Sequence, residues 1–169
     1  MSVLIRNDQN LPSPLTNEEI IEVVNFVLAS ENVTKKIEVS ISIVNNDEIH
    51  QLNRQWRGID KPTDVLSFEC DSVWDNTISD DDLTELGDVI IAPDVIVEQA
   101  KQFGNTPQNE MRLMLVHGML HLLGYDHIID DEAQIMESRE DEILAQLLHQ
   151  NIAVGPTTRH IEDTDYTVK

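Results

Sequence analysis

The sequence predicts an α+β or α/β domain in which helices pack on a small sheet. Four strand-like segments and five helix-like segments follow one another in mixed order along the chain, without any internal repeat. The segment from Met111 to Leu123 is apolar nearly all round, which indicates a helix buried at the centre of the fold. With 169 residues the chain fits a single domain of ordinary size.

The strands are predicted from apolar runs or from strict alternation of apolar and polar residues. They are residues 3–6, 37–43, 64–68 and 86–91. The clearest is 37–43, where every second residue is Ile or Val, which is typical of a strand with one buried face. The acidic segment 71–84 is predicted to be a solvated loop or the arm of a hairpin.

The helices are predicted from residues that favour helix starts, followed by helical periodicity. They are residues 17–29, 46–55, 94–103, 107–123 and 130–150. Thr16 and Glu19 have capping-box spacing, Asn45 or Asn46 can cap the second helix, and Thr106 with Pro107 opens the fourth. We expect one domain over residues 1–150 and a mobile tail over 151–169.

The charge balance is strongly acidic, with 11 Lys and Arg against 32 Asp and Glu and a net charge of −21. Taken as a whole, this excludes a nucleic-acid binder with a uniformly basic surface. The charges are unevenly distributed, since the segment 69–88 has no Lys or Arg while Arg54, Arg57 and Lys61 lie within eight positions. A local basic patch on an acidic body therefore stays possible.

The cellular setting is predicted from the number of cysteines and from a search for a signal peptide and for membrane spans. Cys70 is the one cysteine, so the chain can form no internal disulfide, and we expect Cys70 to be a small buried residue. The first ten residues do not resemble a signal peptide, and no apolar run reaches the roughly 20 residues of a membrane span. The sequence therefore predicts a soluble cytoplasmic protein without a membrane partner.

The most informative segment, residues 117–127, reads HGMLHLLGYDH. His117 and His121 are four residues apart and thus share one face of a helix, and the turn that follows can bring His127 toward that face. Three neutral imidazoles are a typical site for one Zn²⁺, with a fourth position left for water as in catalytic zinc sites. Such an ion lowers the pKa of its bound water to roughly 7 and polarises carbonyl or phosphoryl oxygens.

Two alternatives bear on this zinc site. A single histidine on an apolar helix is usually a core residue, and we interpret His50, His149 and His160 as non-ligands because none has a ligand-like neighbour at useful spacing. The His117/His121 spacing also resembles the His-Glu-x-x-His helix of metallopeptidases, but Gly118 stands where those enzymes have their general base. That difference argues against a peptidase.

Three motifs together resemble the bacterial YbeY family of single-strand-specific endoribonucleases. They are HGMLHLLGYDH at 117–127, LNRQWRG with KPTDVLSF at 52–68, and LGDVII at 86–91. The resemblance implies an α+β fold with a small mixed, mostly parallel sheet and a central metal-binding helix. It also implies a zinc-dependent ribonuclease that acts on single-stranded RNA, in maturation of the 16S rRNA 3′ end and in ribosome quality control, with the ribosome or ribosomal proteins as partners.

The resemblance implies His117, His121 and His127 as zinc ligands and Arg57 as a functional arginine, with His117 and Arg57 as catalytic residues. Independently, a guanidinium can engage phosphate oxygens through two hydrogen bonds, although Arg57 in a polar loop could equally be solvated or paired with Asp60.

Further candidates accompany these residues. Arg54 and Lys61 could attract the RNA backbone, and Asp126 could orient a ligand histidine or simply form the turn. Two other functions stay open, a non-catalytic ribosome-associated module whose zinc holds the fold together and a zinc hydrolase of another substrate class.

Overall fold

The computed structural model describes residues 2–125 and 130–148, together with the short strand Thr167–Val168. The strands are β1 (Ser2–Arg6), β2 (Ile37–Ile43), β3 (Val65–Glu69), β4 (Thr84–Ile91) and β5 (Thr167–Val168). The helices are α1 (Asn17–Ser30), α2 (Asn46–Arg57), α3 (Pro93–Phe103), α4 (Pro107–Leu122) and α5 (Asp130–Leu148). The mixed order of strands and helices confirms the predicted α+β class.

The described strands form one mixed sheet in the order β1-β2-β4-β3-β5. The pairs β1/β2, β2/β4 and β3/β5 are parallel, whereas β3 and β4 are antiparallel neighbours joined by a hairpin connection. The predicted small, mostly parallel sheet is therefore confirmed. The antiparallel pair places the end of β3 beside the start of β4, so the acidic segment that connects them lies at that end of the two strands.

Helices cover both faces of this sheet. On one face, Val65 of β3 and Val89 of β4 join the main apolar core with residues of α1, α4 and α5. On the other face, Leu66 and Ile90 join a smaller cluster with Ile49 of α2. Successive strand residues point to opposite faces, so β3 and β4 separate α2 from α4.

Helix α4 lies at the centre of the main core, as predicted. Almost every residue of it from Asn109 onward is buried, whereas His117 is only partly so. The close approach of α4 to the sheet depends on Gly118, whose backbone carbonyl accepts a hydrogen bond from the Ser67 hydroxyl at 3.3 Å. A Cβ at position 118 would lie 2.9 Å from Cγ1 of Val89, so this position has room only for glycine.

Most element boundaries fall within one or two residues of their predicted positions. Thr16 forms the predicted capping box, and the side chains of Asn45 and Thr106 cap α2 and α4. Strand β4 begins at Thr84, two residues before its predicted start, because the parallel pairing with β2 begins at Ile37 and Thr84. The earlier start of β4 thus reflects strand pairing, which no local pattern encodes.

One prediction made from the sequence was wrong, and others concern residues that the structure does not describe. Cys70 is exposed and not buried, because it follows the last residue of β3, where the chain leaves the sheet. The predicted tail, apart from β5, and the end of the last predicted helix are outside the described residues, as are His149 and His160. Among the residues that are described, no helix is both long and apolar enough to cross a membrane.

Candidate metal centre and basic surface

The first part of the candidate site is a pair of histidines on α4. The helix begins at Pro107 after the Thr106 cap and continues for 16 residues, so His117 and His121 lie one turn apart on the same face. His121 is completely buried, and the side chain of His117 is 12% exposed. The pair thus lies at the end of a buried helix, with one member reaching toward solvent.

The two imidazoles face each other through the same ring nitrogen. Nε2 of His117 lies 3.1 Å from Nε2 of His121, and the ring centroids are 4.7 Å apart. Two ligands of a tetrahedral zinc ion, each at 2.0–2.1 Å from the metal, are about 3.3 Å apart. The observed separation therefore suits two nitrogen ligands of one zinc ion.

The opposite ring nitrogens determine which tautomer each histidine adopts. Nδ1 of His121 lies 3.0 Å from the backbone carbonyl of Tyr125, which can only accept a hydrogen bond. Nδ1 of His117 contacts the carboxylate of Glu140. Both Nδ1 atoms are thus donors, and in the neutral rings both Nε2 atoms carry lone pairs.

Two lone pairs that face each other at this distance repel unless a proton or a cation lies between them. The hydrogen-bonded Nδ1 atoms hold both rings in that arrangement, which is the arrangement that outer partners impose on metal-binding histidines. The pair therefore fits the predicted zinc ion by distance, by tautomer and by ligand chemistry.

The sequence did not predict Glu140, which the structure places beside His117. Its carboxylate is only 1% exposed, and it lies on α5 among buried residues of the main core such as Met136 and Ile143. A signal was present in the sequence, since an acid at helical spacing within an apolar stripe calls for a buried partner.

The predicted third ligand, His127, and the predicted outer partner, Asp126, lie outside the described residues. Within residues 2–125 and 130–148, no three His, Cys, Asp or Glu side chains form a metal-binding group. The described part of the site is thus the His117/His121 pair with its partners Glu140 and Tyr125.

A hydrogen-bonded network fixes the backbone beside these partners. The Glu31 carboxylate at the end of α1 accepts hydrogen bonds from the Tyr125 hydroxyl and, at 3.0 Å, from Nε of Arg139. Partial burial first, and the bond to negatively charged Glu31 second, raise the pKa of Tyr125 to about 12. Arg139 precedes Glu140 in α5. The network therefore connects α5, which orients His117 through Glu140, with the backbone at Tyr125, which orients His121.

The second part of the candidate site lies at the end of α2. Arg57 is the last residue of that helix, and its Nη1 donates to Oδ1 of Asn53 at 3.2 Å. Asn53 is buried and also donates from Nδ2 to the carbonyl of Lys61 at 2.9 Å. Asn53 thereby holds the arginine beside the loop that follows the helix, whereas the carboxylate of Asp60 contacts His50.

The two parts of the site belong to helices on opposite faces of β3. Ser67 contacts Gly118 of α4, while the next residue, Phe68, has its ring 6.1 Å from that of Trp56 in α2. Arg54 and Lys61 are exposed and Arg57 is partly buried. We call the surface formed by Trp56, Arg57 and Lys61 at the end of α2 the Trp56 surface.

Comparisons with known proteins agree with this architecture. The family model described as Endoribonuclease YbeY matches residues 4–148. The chain belongs to this family. The match begins within β1 and includes β2 to β4 and the five described helices, and therefore contains both described parts of the candidate site.

The alignments with individual relatives cover most of the chain. The Endoribonuclease YbeY of Thermoanaerobacter sp. (strain X514) is 39% identical over 155 residues, which cover 87% of this chain and 98% of that protein. The Endoribonuclease YbeY of Bacillus licheniformis is 43% identical over 129 residues, covering 75% of this chain and 82% of its own length. The solution structure of TM1509 from Thermotoga maritima aligns with a TM-score of 0.57 and 25% identity over 93% of this chain and 99% of that one.

Proposed function

We propose that this protein is a zinc-dependent endoribonuclease that cleaves single-stranded RNA. The observation that carries the proposal is the facing pair of Nε2 atoms on His117 and His121, 3.1 Å apart and fixed by acceptors at both Nδ1 atoms. His127, which follows in the same motif, would complete the ligand set. Zinc, when bound there, would lower the pKa of a coordinated water and polarise a phosphoryl oxygen.

The residues of this chain supply orientation and charge around that chemistry. Glu140 and the Tyr125 carbonyl hold the two imidazoles in the ligand tautomer, and the buried position of α4 limits access of water to them. Arg57 would bind a phosphate of the RNA through its paired N–H groups and stabilise the charge that grows on it during cleavage. Arg54 and Lys61 would attract the neighbouring backbone.

The structure around Gly118 argues against the alternative of a zinc peptidase. In that class a glutamate at this position would act as the general base, but a Cβ at 118 would already meet Val89 and Ser67. A longer side chain has no room there.

The biological setting is proposed from the family. The relatives are named as endoribonucleases, and we propose ribosomal RNA as the substrate of this protein, with processing of the 16S rRNA 3′ end and ribosome quality control in the cytoplasm. The ribosome or ribosomal proteins would then deliver the RNA. This route would help an acidic protein to approach an anionic substrate.

Metal analysis coupled to a cleavage assay tests the proposed activity. Purified protein should contain about one zinc ion per chain and should cut unstructured RNA but not duplex RNA. His117→Ala should lose both zinc and cleavage, and Arg57→Ala should keep zinc while cleavage falls. His50→Ala is the matched control for metal content, because His50 contacts Asp60 and lies in a different helix.

The alternative of a non-catalytic zinc module makes the opposite prediction. Chelation would unfold such a protein, and the wild type would show no cleavage once contaminating nucleases are removed. Normal cleavage by both the His117 and Arg57 variants would overturn the site assignment.

A further inference from the structure

The chain contains two tryptophans, and both lie on the surface. Trp56 is 53% exposed and Trp74 is 55% exposed. A large aromatic ring in water is a feature of binding surfaces, but single exposed apolar residues are also common. Exposure alone therefore does not distinguish the two indoles, and their surroundings decide between them.

The surroundings of Trp56 combine a held aromatic ring with positive charge. The ring of Phe68 meets it edge to face, with centroids 6.1 Å apart and planes at 86°. Arg57 follows Trp56 directly at the end of α2, whereas Arg54, two residues before Trp56, projects from the other side of the helix. Lys61 is held nearby, because its carbonyl accepts the hydrogen bond from Asn53.

The surroundings of Trp74 have the opposite charge. It lies in the segment 69–88, which contains eight acids and no Lys or Arg. Its indole Nε1 donates to the carbonyl of Leu123 at 2.9 Å, which occupies the polar edge of the ring. Lys35 reaches this loop, where its Nζ donates to the backbone carbonyl of Asp75 at 2.7 Å.

We propose that Trp56 stacks on an unpaired base of single-stranded RNA while Arg57 and Lys61 engage the adjacent phosphates. An aromatic ring beside cationic side chains is the combination with which proteins bind single strands without reading sequence. The identity of the ligand rests on the proposed ribonuclease function. Since bases inside a duplex are already stacked on each other, the Trp56 surface would favour single-stranded over duplex RNA.

Two single-tryptophan proteins test this assignment directly. Trp74→Phe leaves Trp56 as the only indole, and Trp56→Phe leaves Trp74. Each is titrated with a 2′-O-methyl oligouridylate, whose integrity is checked on a gel, and the tryptophan fluorescence is followed. The oligonucleotide should quench Trp56 saturably and leave Trp74 nearly unchanged, whereas inorganic polyphosphate, which has charge but no bases, should quench neither.

Affinity measurements separate stacking from a structural role. Trp56→Leu should weaken binding of the oligonucleotide by roughly 5- to 150-fold, the range expected when one stacked base is lost. Trp56→Tyr should restore most of that affinity, and Trp74→Phe should bind as the wild type does. Thermal unfolding of each variant shows whether loss of the Phe68 contact has destabilised the fold.

The results that would overturn the assignment are equal quenching of both indoles, no quenching of Trp56, or wild-type affinity in Trp56→Leu. Failure of the proposed nuclease function would look different. RNA would then quench Trp56 without being cut by the zinc-loaded wild type. If RNA is cleaved but does not quench Trp56, the proposed nuclease function stands and the proposed stacking on Trp56 is wrong.

Discussion

The two halves of the candidate site lie on opposite faces of β3 and differ in burial, since the half on the α4 face is mostly buried and the half on the α2 face is mostly exposed. On the α4 face, His121 and Glu140 are almost completely buried, and each histidine has a defined acceptor at Nδ1. On the α2 face, Trp56, Arg54 and Lys61 are exposed, and the buried residue Asn53 anchors the loop. The comparison teaches that the proposed metal side has a fixed geometry, whereas the proposed RNA side has accessible charge and an accessible aromatic ring.

The physical reason for the contrast lies in the two kinds of ligand. A metal ion accepts only a narrow range of distances and angles, so its ligands need rigid support from neighbouring elements. A polyanion is attracted by charges that stay hydrated, and its flexible backbone can adapt to them. Damage to the α4 face should therefore alter zinc affinity, and damage to the α2 face should alter RNA binding and cleavage while zinc affinity stays unchanged.

The largest effect is expected from the loss of a buried ligand, in His121→Ala. Zinc affinity should fall by more than the roughly 10- to 100-fold typical of a lost outer partner. Because zinc bound to the folded state raises stability, a chelator should lower the Tm of the wild type but not that of this variant. Calorimetry with and without chelator makes the measurement, and a chelator-sensitive Tm in His121→Ala would contradict the assignment.

The next effect concerns Glu140→Gln, which removes the charge that faces Nδ1 of His117. Zinc affinity or cleavage should fall by about 10- to 100-fold, because a neutral amide supports the basicity and orientation of the ring less than the carboxylate does. RNA affinity at the Trp56 surface should stay unchanged, which sharpens the difference between the two faces. Glu137→Gln, an exposed residue of the same helix, is the matched control, and equal zinc affinity in both variants would refute a role for Glu140.

A smaller and different effect is expected from Arg57→Ala. Zinc content should stay at the wild-type level, while the dependence of RNA binding on salt becomes weaker. Each phosphate contact to a single strand contributes about 0.7 to the slope of log K against log salt, so one lost contact lowers the slope by about that amount. A titration series at several salt concentrations measures it. Lost zinc in this variant would show that the two faces are coupled.

The smallest effect concerns the protonation of Tyr125. Its pKa in the folded protein, about 12, lies above its ordinary value of 10.0, so the neutral phenol is favoured by folding. The resulting stabilisation is complete below pH 10 and is lost as the pH rises from about 10 to about 12. At neutral pH the hydroxyl is therefore protonated and should contribute no step to a pH–activity profile.

Glu31→Gln tests this account of Tyr125. Removing the negative charge should lower the pKa of the phenol toward 10, because Glu31 both accepts its hydrogen bond and disfavours tyrosinate. The absorbance of tyrosinate followed against pH gives the pKa, and Tyr125→Phe identifies the signal of the other tyrosine, Tyr166. An unchanged pKa in Glu31→Gln would mean that burial alone raises it.

The sequence by itself determined the elements and the chemistry of individual residues. Caps at Thr16 and Thr106 and the alternation along β2 depend on neighbours within a few positions, so local patterns predicted them. The spacing of His117 and His121 belongs to the same category, because helix geometry alone places them on one face. The contrast between the basic residues at positions 54–61 and the acidic segment 69–88 can likewise be recognised from the sequence.

Tertiary structure alone decided which distant groups meet. Glu140 reaches His117 only because α5 packs on α4, and Glu31 reaches Tyr125 only because α1 ends beside them. The antiparallel pairing of β3 with β4 sends Phe68 toward α2 and Ser67 toward Gly118, which divides the site between two faces. Such contacts depend on long-range packing, which is settled by the whole core and not by any local pattern.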